Sequence, residues 1–357
     1  MNLSRYARQS ILPEIGPEGQ KKISTSSVAL VGLGALGSVS ANLLARAGVG
    51  KLRLIDRDVL ELHNLQRQVL FDEEDVRQEL PKAVTALQKL RRVNSEIQME
   101  AEPVDLNAET AGEVLGGVDL ILDGTDNFET RFLINDFCLR ESLPWIYGGA
   151  VGTEGLTYVI LPGEGPCLRC LFEEAPKPGE FQTCDVAGIL APVAHWIASF
   201  QAIEALKILA GKKEAVDRKL WKGDLWKKEF RAIEVETAKL SSTPRDGVVG
   251  WCSGCTKKEY PYLDRERVSR TVSLCGRNAV QIFSDRGGSA ARPYAKVNFK
   301  NLAERLSRLG SVNYNDFLLR ASIDPYEITV FSNGRAIVKG TEDAAQAKSV
   351  YAKYIGG

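Results

Sequence analysis

Several residue groups in this sequence could do chemistry. The first is a glycine turn, Gly32-Leu33-Gly34-Ala35-Leu36-Gly37. An apolar run at residues 28–31 enters it, and an Ala/Leu-rich segment, the run Lys51–Ile55 and then Asp56 follow. Glycines at this spacing permit a tight turn, a close approach of backbone to phosphate, and close packing of helix on strand. The first turn of the following helix would face the phosphates with unpaired N–H groups. Asp56 stands where a carboxylate can accept hydrogen bonds from ribose hydroxyls. The turn identifies a nucleotide site without saying which nucleotide; a dehydrogenase and an ATP-using enzyme could both begin this way. The second group is Cys167 and Cys170 with Cys252 and Cys255, two short-spaced pairs. They suit a tetrahedral structural zinc site that staples distant parts of one fold; the alternative is four buried thiols or a redox pair. The third is Cys184, in a Pro/Gly/Glu/Lys-rich loop over residues 173–185. A thiol there could be a nucleophile, although its spacing alone favours a packing residue.

Two further residues take their meaning from the elements that position them. Pro81 opens a helix over Lys82–Val93, with Ala83, Ala86, Leu87 and Leu90 as its apolar stripe. A cation at a helix N-terminus opposes the dipole, so Lys82 invites an anionic partner; a solvated surface lysine is the plain alternative. Residues 118–122 read as a buried strand ending in Asp123-Gly124-Thr125-Asp126-Asn127. Ligands in open α/β sheets lie beyond the carboxyl ends of the strands, so Asp56 and Asp126 could share one crevice. Asp126 could hold Mg²⁺ or cap the helix over residues 128–140. Strands are expected at 97–104, 144–147 and 154–161, and a helix at 107–115. A strand pair with one wet face fits 217–234. His195 falls on the apolar helix at 194–211 as a hydrogen-bonded core residue, and Cys138 and Cys275 read as packing. Beyond residue 256 a small α+β domain is expected, with a helix at 299–309, a hairpin across Asn333-Gly334 and a closing helix at 342–355.

The bulk numbers exclude other classes. The chain has 357 residues, enough for two domains, and is 44% hydrophobic and 26% charged. Lys+Arg and Asp+Glu are both 46, so no net field recruits nucleic acid or a membrane surface. The N-terminal stretch lacks an apolar core of signal-peptide length, and seven cysteines without a disulfide pattern fit the cytoplasm. The fold class expected is α/β: a Rossmann-like nucleotide-binding sheet extended by antiparallel strands, with a Cys₄ zinc site. The domains expected are 1–256 and 257–357.

Taken in order, Arg5-Tyr6-Ala7-Arg8-Gln9, the glycine turn, Leu54-Ile55-Asp56, Asn64-Leu65-Gln66-Arg67-Gln68, Pro81-Lys82, Gly124-Thr125-Asp126-Asn127, the cysteine pairs and Thr183-Cys184 with Ala187-Gly188 give a resemblance. Over residues 4–256 the chain resembles the ThiF/MoeB adenylyltransferases, relatives of the ubiquitin-activating enzymes. The resemblance implies that ATP activates the C-terminal glycine carboxylate of a ubiquitin-like sulfur carrier (ThiS- or MoaD-like) as an acyl-adenylate. Pyrophosphate is released, and the sulfur serves thiamine or molybdenum cofactor biosynthesis. It further implies that Arg67 and Lys82 neutralise phosphate oxygens and Asp126 binds Mg²⁺. Asp56 holds ribose, Asn64 positions phosphates, Gln68 and Asn127 join the nucleotide site, and Gly32, Gly34 and Gly37 shape its floor. Arg8 becomes an arginine finger reaching into the neighbouring subunit of a homodimer; such fingers contribute ~10³–10⁵ in rate in other phosphoryl transfers. Cys184 matches a loop cysteine that joins the carrier through sulfur in some members and is dispensable for adenylation in others. The rival readings are an NAD-dependent oxidoreductase, which leaves Arg67, Lys82 and the zinc staple without a reason, and a non-catalytic nucleotide-binding scaffold.

Overall fold

The apolar run before the glycine turn becomes the central strand of a sheet. β1 (Ser27–Val31) pairs in parallel with β2 (Lys51–Ile55) on one side and with β4 (Leu120–Asp123) on the other. β3 (Gln98–Glu102) lies outside β2, also parallel. β5 (Trp145–Val151) continues the parallel set beside β4. β6 (Glu154–Ile160), β7 (Leu220–Asp224) and β8 (Glu229–Ile233) then add antiparallel strands. The eight strands run β3-β2-β1-β4-β5-β6-β7-β8. Strand order reverses between β1 and β4, and that reversal opens a crevice at their carboxyl ends.

The structure is a computed structural model that describes residues 3–175, 187–235, 252–264, 271–274, 278–282, 297–332 and 334–356. Cys184, Cys275 and Asn333 lie outside them. Two units form, Met1–Glu266 and Arg267–Gly357. The boundary expected after residue 256 falls inside the first, because Tyr262 and Leu263 are buried in its core.

Both faces of the parallel part of the first sheet are covered, as a parallel sheet requires. Val28 and Leu30 of β1 enter one core with Leu44, Leu54 and Leu90. Ala29 and Val31, one residue out of phase, enter the other with Ile121, Phe132 and Trp145. The covering helices are α1 (Gly16–Thr25), α2 (Ala35–Ala47), α3 (Lys82–Val93), α4 (Phe128–Glu141) and α5 (Ala191–Leu209). The expected helix at 107–115 is shorter, Ala111–Leu115. Asn107 Oδ1 accepts from the N–H groups of Glu109 and Thr110, and that local turn displaces the first helical turn. His195 also departs from expectation: its Nε2 is buried without a hydrogen-bond partner.

Among the described residues, the second unit is a six-stranded antiparallel sheet carrying two helices, α6 (Phe299–Leu306) and α7 (Ala344–Tyr354). Its strands are β9 (Thr271–Leu274), β10 (Ala279–Ile282), β11 (Ser311–Tyr314), β12 (Leu318–Ile323), β13 (Tyr326–Phe331) and β14 (Ala336–Lys339), ordered β11-β12-β13-β14-β10-β9. Leu302, Leu319, Ile328, Val338 and Val350 form its core. β11 and β12 were not expected from the sequence. β11 is an edge strand without a buried residue, so it shows no alternation to read.

Candidate active site

The crevice floor is made of backbone. Gly32 has φ +84°, in the left-handed region that glycine tolerates, and its N–H donates to Ile55 O at 2.8 Å. A Cβ on Gly37 would stand 1.8 Å from Gly32 O, so this position admits no side chain. Gly124, just past β4, packs against the same turn: its Cβ would fall 2.5 Å from Gly32 O. Gly34 is different. A Cβ there would meet only Gln68 Nε2, at 3.8 Å. Gly34 is also the N-cap of α2 and has no side chain to satisfy the first N–H groups of the helix. These donors and the open space above Gly34 are suited to cradle a phosphate.

Beside the floor, Asp56 is buried at the end of β2. Its Oδ2 accepts from the Leu33 N–H at 2.7 Å and its Oδ1 from the Asp58 N–H at 2.7 Å. Each oxygen keeps a lone pair for a further donor such as a ribose hydroxyl. Burial pushes the Asp56 carboxyl above its ordinary value, with Lys82 acting in the opposite sense. Lys82 is only 6% exposed. Its N–H donates to Asp58 O at 2.8 Å, and its Nζ lies 3.7 Å from Asp58 Oδ2. The surface-lysine alternative therefore fails: a buried ammonium with a carboxylate at that loose distance is suited to an anionic guest.

Residues 61–68 wrap the edge of the crevice. Asn64 Oδ1 accepts from the Glu61 N–H at 3.1 Å, and Asn64 O accepts from the N–H groups of Arg67 and Gln68. Arg67 is half-buried and donates from Nη1 to His63 O at 3.0 Å. Gln68 is buried next to Gly34, and its Oε1 has no partner. Asn127, not Asp126, caps α4 by accepting from the Thr130 N–H at 2.9 Å. Asp126 is left exposed one residue earlier, two residues past the Gly124 that packs on the floor.

Sequence reasoning missed what braces the turn that precedes Asp126. Arg131, on α4, is buried and donates to Asp123 Oδ2 (3.0 Å), Thr125 O (2.6 Å) and Gly148 O (3.0 Å). Its guanidinium lies over the rings of Phe128 and Tyr147, at 5.4 and 5.2 Å from the centroids. Burial alone would lower its pKa; Asp123 reverses that and raises it. Asp123 in turn accepts from the N–H and the hydroxyl of Thr125. The signal in sequence was the four-residue step from Asn127 to Arg131, which puts the arginine one helical turn inside the cap.

Arg8 is not brought to the crevice of its own chain. Tyr6 and Gln9 flank it and are anchored at the far end of α2. Gln9 donates to Ala47 O, and the Tyr6 ring packs where a Cβ on Gly48 would clash at 2.5 Å. The 13 residues of α2 separate that end from the glycine floor by ~20 Å.

The sulfur atoms of Cys167, Cys170, Cys252 and Cys255 all lie within 4.8 Å of one another, and three of the separations are 4.0, 3.6 and 3.7 Å. Four thiolates about 2.3 Å from a tetrahedral centre would stand about 3.8 Å apart, so the quartet fits a metal ion. Mutual hydrogen bonding within the quartet holds Cys252 and Cys255 below the ordinary thiol value and Cys167 and Cys170 above it. The quartet is tied to α4. Arg169 makes a bidentate pair with Asp136, whose Oδ2 also accepts from the Tyr262 N–H.

A glycine floor at a switch point, a ribose-ready acid after β2 and a buried lysine beside it define a nucleotide-binding enzyme of the Rossmann-like class. Residues 6–244 match the model of the ThiF family, and the chain belongs to that family. Over 354 residues it is 40% identical to the sulfur carrier protein ThiS adenylyltransferase of Bacillus subtilis (strain 168), spanning 99% of both chains. It is 39% identical over 235 residues to the SAMP-activating enzyme E1 of Haloferax volcanii, 66% of this chain and 86% of that one. Among solved structures, E. coli MccB with ATP is similar at a TM-score of 0.58 and 24% identity, covering 68% of this chain and 74% of that one; this likeness speaks for the fold. No helix among the described residues is long and apolar enough to cross a membrane.

Proposed function

We propose that this protein uses ATP to adenylylate the C-terminal glycine carboxylate of a ubiquitin-like sulfur carrier. A carboxylate oxygen bonds to the α-phosphorus, the bridging P–O bond to the β-phosphate breaks, and its electron pair leaves with pyrophosphate. Both reactants are anions, so the site must offset their repulsion. Lys82 and Arg67 supply positive charge, the Gly34 cradle supplies N–H donors, and Asp56 holds the ribose. Asp126 would hold Mg²⁺, which neutralises phosphate charge when bound. The observation that carries this reading is Lys82, buried beside Asp56 at the edge of a glycine floor that Asp126 also borders. Nicotinamide chemistry has no use for that cation. The full-length likeness to a sulfur carrier protein ThiS adenylyltransferase supports a ThiS-like carrier. The cysteine quartet would hold Zn²⁺ as a structural staple.

Two chains would complement each other. Arg8, held away from its own floor, would act in the site of a partner copy. Cys184 would enter after adenylation, in sulfur transfer; comparing Cys184→Ala in pyrophosphate exchange and in thiocarboxylate formation tests this, and a loss in the second assay alone is expected. The main test gives purified protein ATP, Mg²⁺ and each small β-grasp protein of its host. Pyrophosphate release and an AMP adduct on the partner's terminal glycine, seen by intact mass, are expected. Nicotinamide binding without pyrophosphate exchange would instead establish the dehydrogenase reading.

A further inference from the structure

Arg57 follows the ribose carboxylate directly, yet the scheme above gives it no part. Its Nη1 lies 2.6 Å from Asp105 Oδ1, and its Nε 3.8 Å from Asp58 Oδ1. Asp105 stands three residues beyond the end of β3, whose Glu102 pairs in register with Ile55. The ion pair thus bridges the loops after β2 and β3 on the ligand edge of the sheet. Arg57 keeps 28% of its side chain exposed, whereas Asp105 keeps 11%. Burial opposes the charge, but Asp105, then Asp58, more than restore it, and Asp126 adds a smaller pull.

Sheet order decides what this arginine meets. The phosphates belong over β1, at the Gly34 cradle. The ribose belongs over β2, at Asp56. Continuing along the β1-β2-β3 order, the next group of the nucleotide falls over β3, where Arg57 and Asp105 sit, and that group is the base. Two other roles fit poorly. A reader of a ribose 2′-phosphate needs uncompensated charge, and here Asp105 and Asp58 both meet it. A phosphate clamp would have to lie on the glycine side of Asp56. A guanidinium engaged along its edge by carboxylates offers its plane, and a planar cation stacks well on an aromatic ring.

We propose that Arg57, oriented by Asp105, forms one wall of a nucleobase subsite and stacks on the purine of the bound nucleotide. This rests on the nucleotide reading above. The test measures ATP and tripolyphosphate binding to the full chain for wild type, Arg57→Ala, Arg57→Lys and Asp105→Asn. Stacking of this kind predicts a loss of about 3- to 30-fold in ATP affinity for Arg57→Ala. Binding of tripolyphosphate, which has no base, should be unchanged, and KM for ATP should rise while kcat holds. Arg57→Lys keeps the ion pair and the thermal stability but loses the plane, so it should bind ATP nearly as weakly as Arg57→Ala. Asp105→Asn should show a smaller loss of the same kind. Full ATP affinity in Arg57→Lys, or a parallel loss of tripolyphosphate, would overturn the proposal. A wild-type chain that binds neither ligand would instead bring down the nucleotide reading, so the two failures are distinguishable.

Discussion

At the residue scale, Lys82 carries the most information. Its place at a helix start was legible in the sequence, but its burial was not, because burial depends on the loop at 57–59 folding over it. Burying an ammonium with a carboxylate no closer than hydrogen-bond fringe costs stability. Lys82→Met should therefore keep or raise the melting temperature while lowering pyrophosphate exchange by about 10²-fold or more; calorimetry and the exchange assay check the two halves. Asp56 yields a pH prediction. Its pKa is raised by burial, and on the proposed reading ribose hydroxyls would donate to its ionised form. Nucleotide affinity should be full above that raised value and fall as pH drops through it, at a higher pH than an ordinary carboxylate would show. Titrating ATP binding between about pH 4 and 8 tests this against an ordinary carboxylate's reference value, and Asp56→Asn should flatten the profile. Asp123 and Arg131 escaped sequence reading because an acid at a strand end and an arginine on a helix are common, and only tertiary contact joins them.

At the scale of elements, the motif glycines divide into two kinds. Gly37 has no room for a side chain, whereas Gly34 faces open space. Gly37→Ala should unfold or strongly destabilise the β1–α2 turn, lowering the melting temperature and all activity together. Gly34→Ala should fold normally and raise KM for ATP, because its methyl group occupies the phosphate cradle. The spacing of the motif pointed to a nucleotide turn without showing which glycine is closed in by backbone and which faces open space. Element reading worked where apolar periodicity was strong, as in α3, found over Lys82–Val93 as expected. It failed where local side-chain turns or an exposed edge broke the pattern, as at Asn107 and in β11.

At the scale of the whole molecule, the cysteine quartet joins segments 85 residues apart. Closing so long a loop in the native state alone favours folding. Chelation should lower the melting temperature by several degrees and added zinc should restore it, with one zinc per chain by elemental analysis; Cys252→Ser should mimic the chelated state. Pairing of chains has its own test. Arg8→Ala and Asp126→Ala should each be nearly inactive alone, and mixing the two should recover about a quarter of the activity if the finger acts across the pair. The second unit's architecture was partly legible, but its partners in chemistry were not, since its core is ordinary apolar packing. The clasp on the N-terminal segment bears on all of this. Tyr6 accepts a buried hydrogen bond from Asn94, and Gln9 bonds both Gln20 and Ala47. Arg8 therefore rides on a stiff strut, not a tether. If two copies pair as proposed, a stiff strut permits one spacing between them and no other, so loosening the clasp with Asn94→Ala should blunt what each copy would lend its neighbour while leaving its grip on ATP intact.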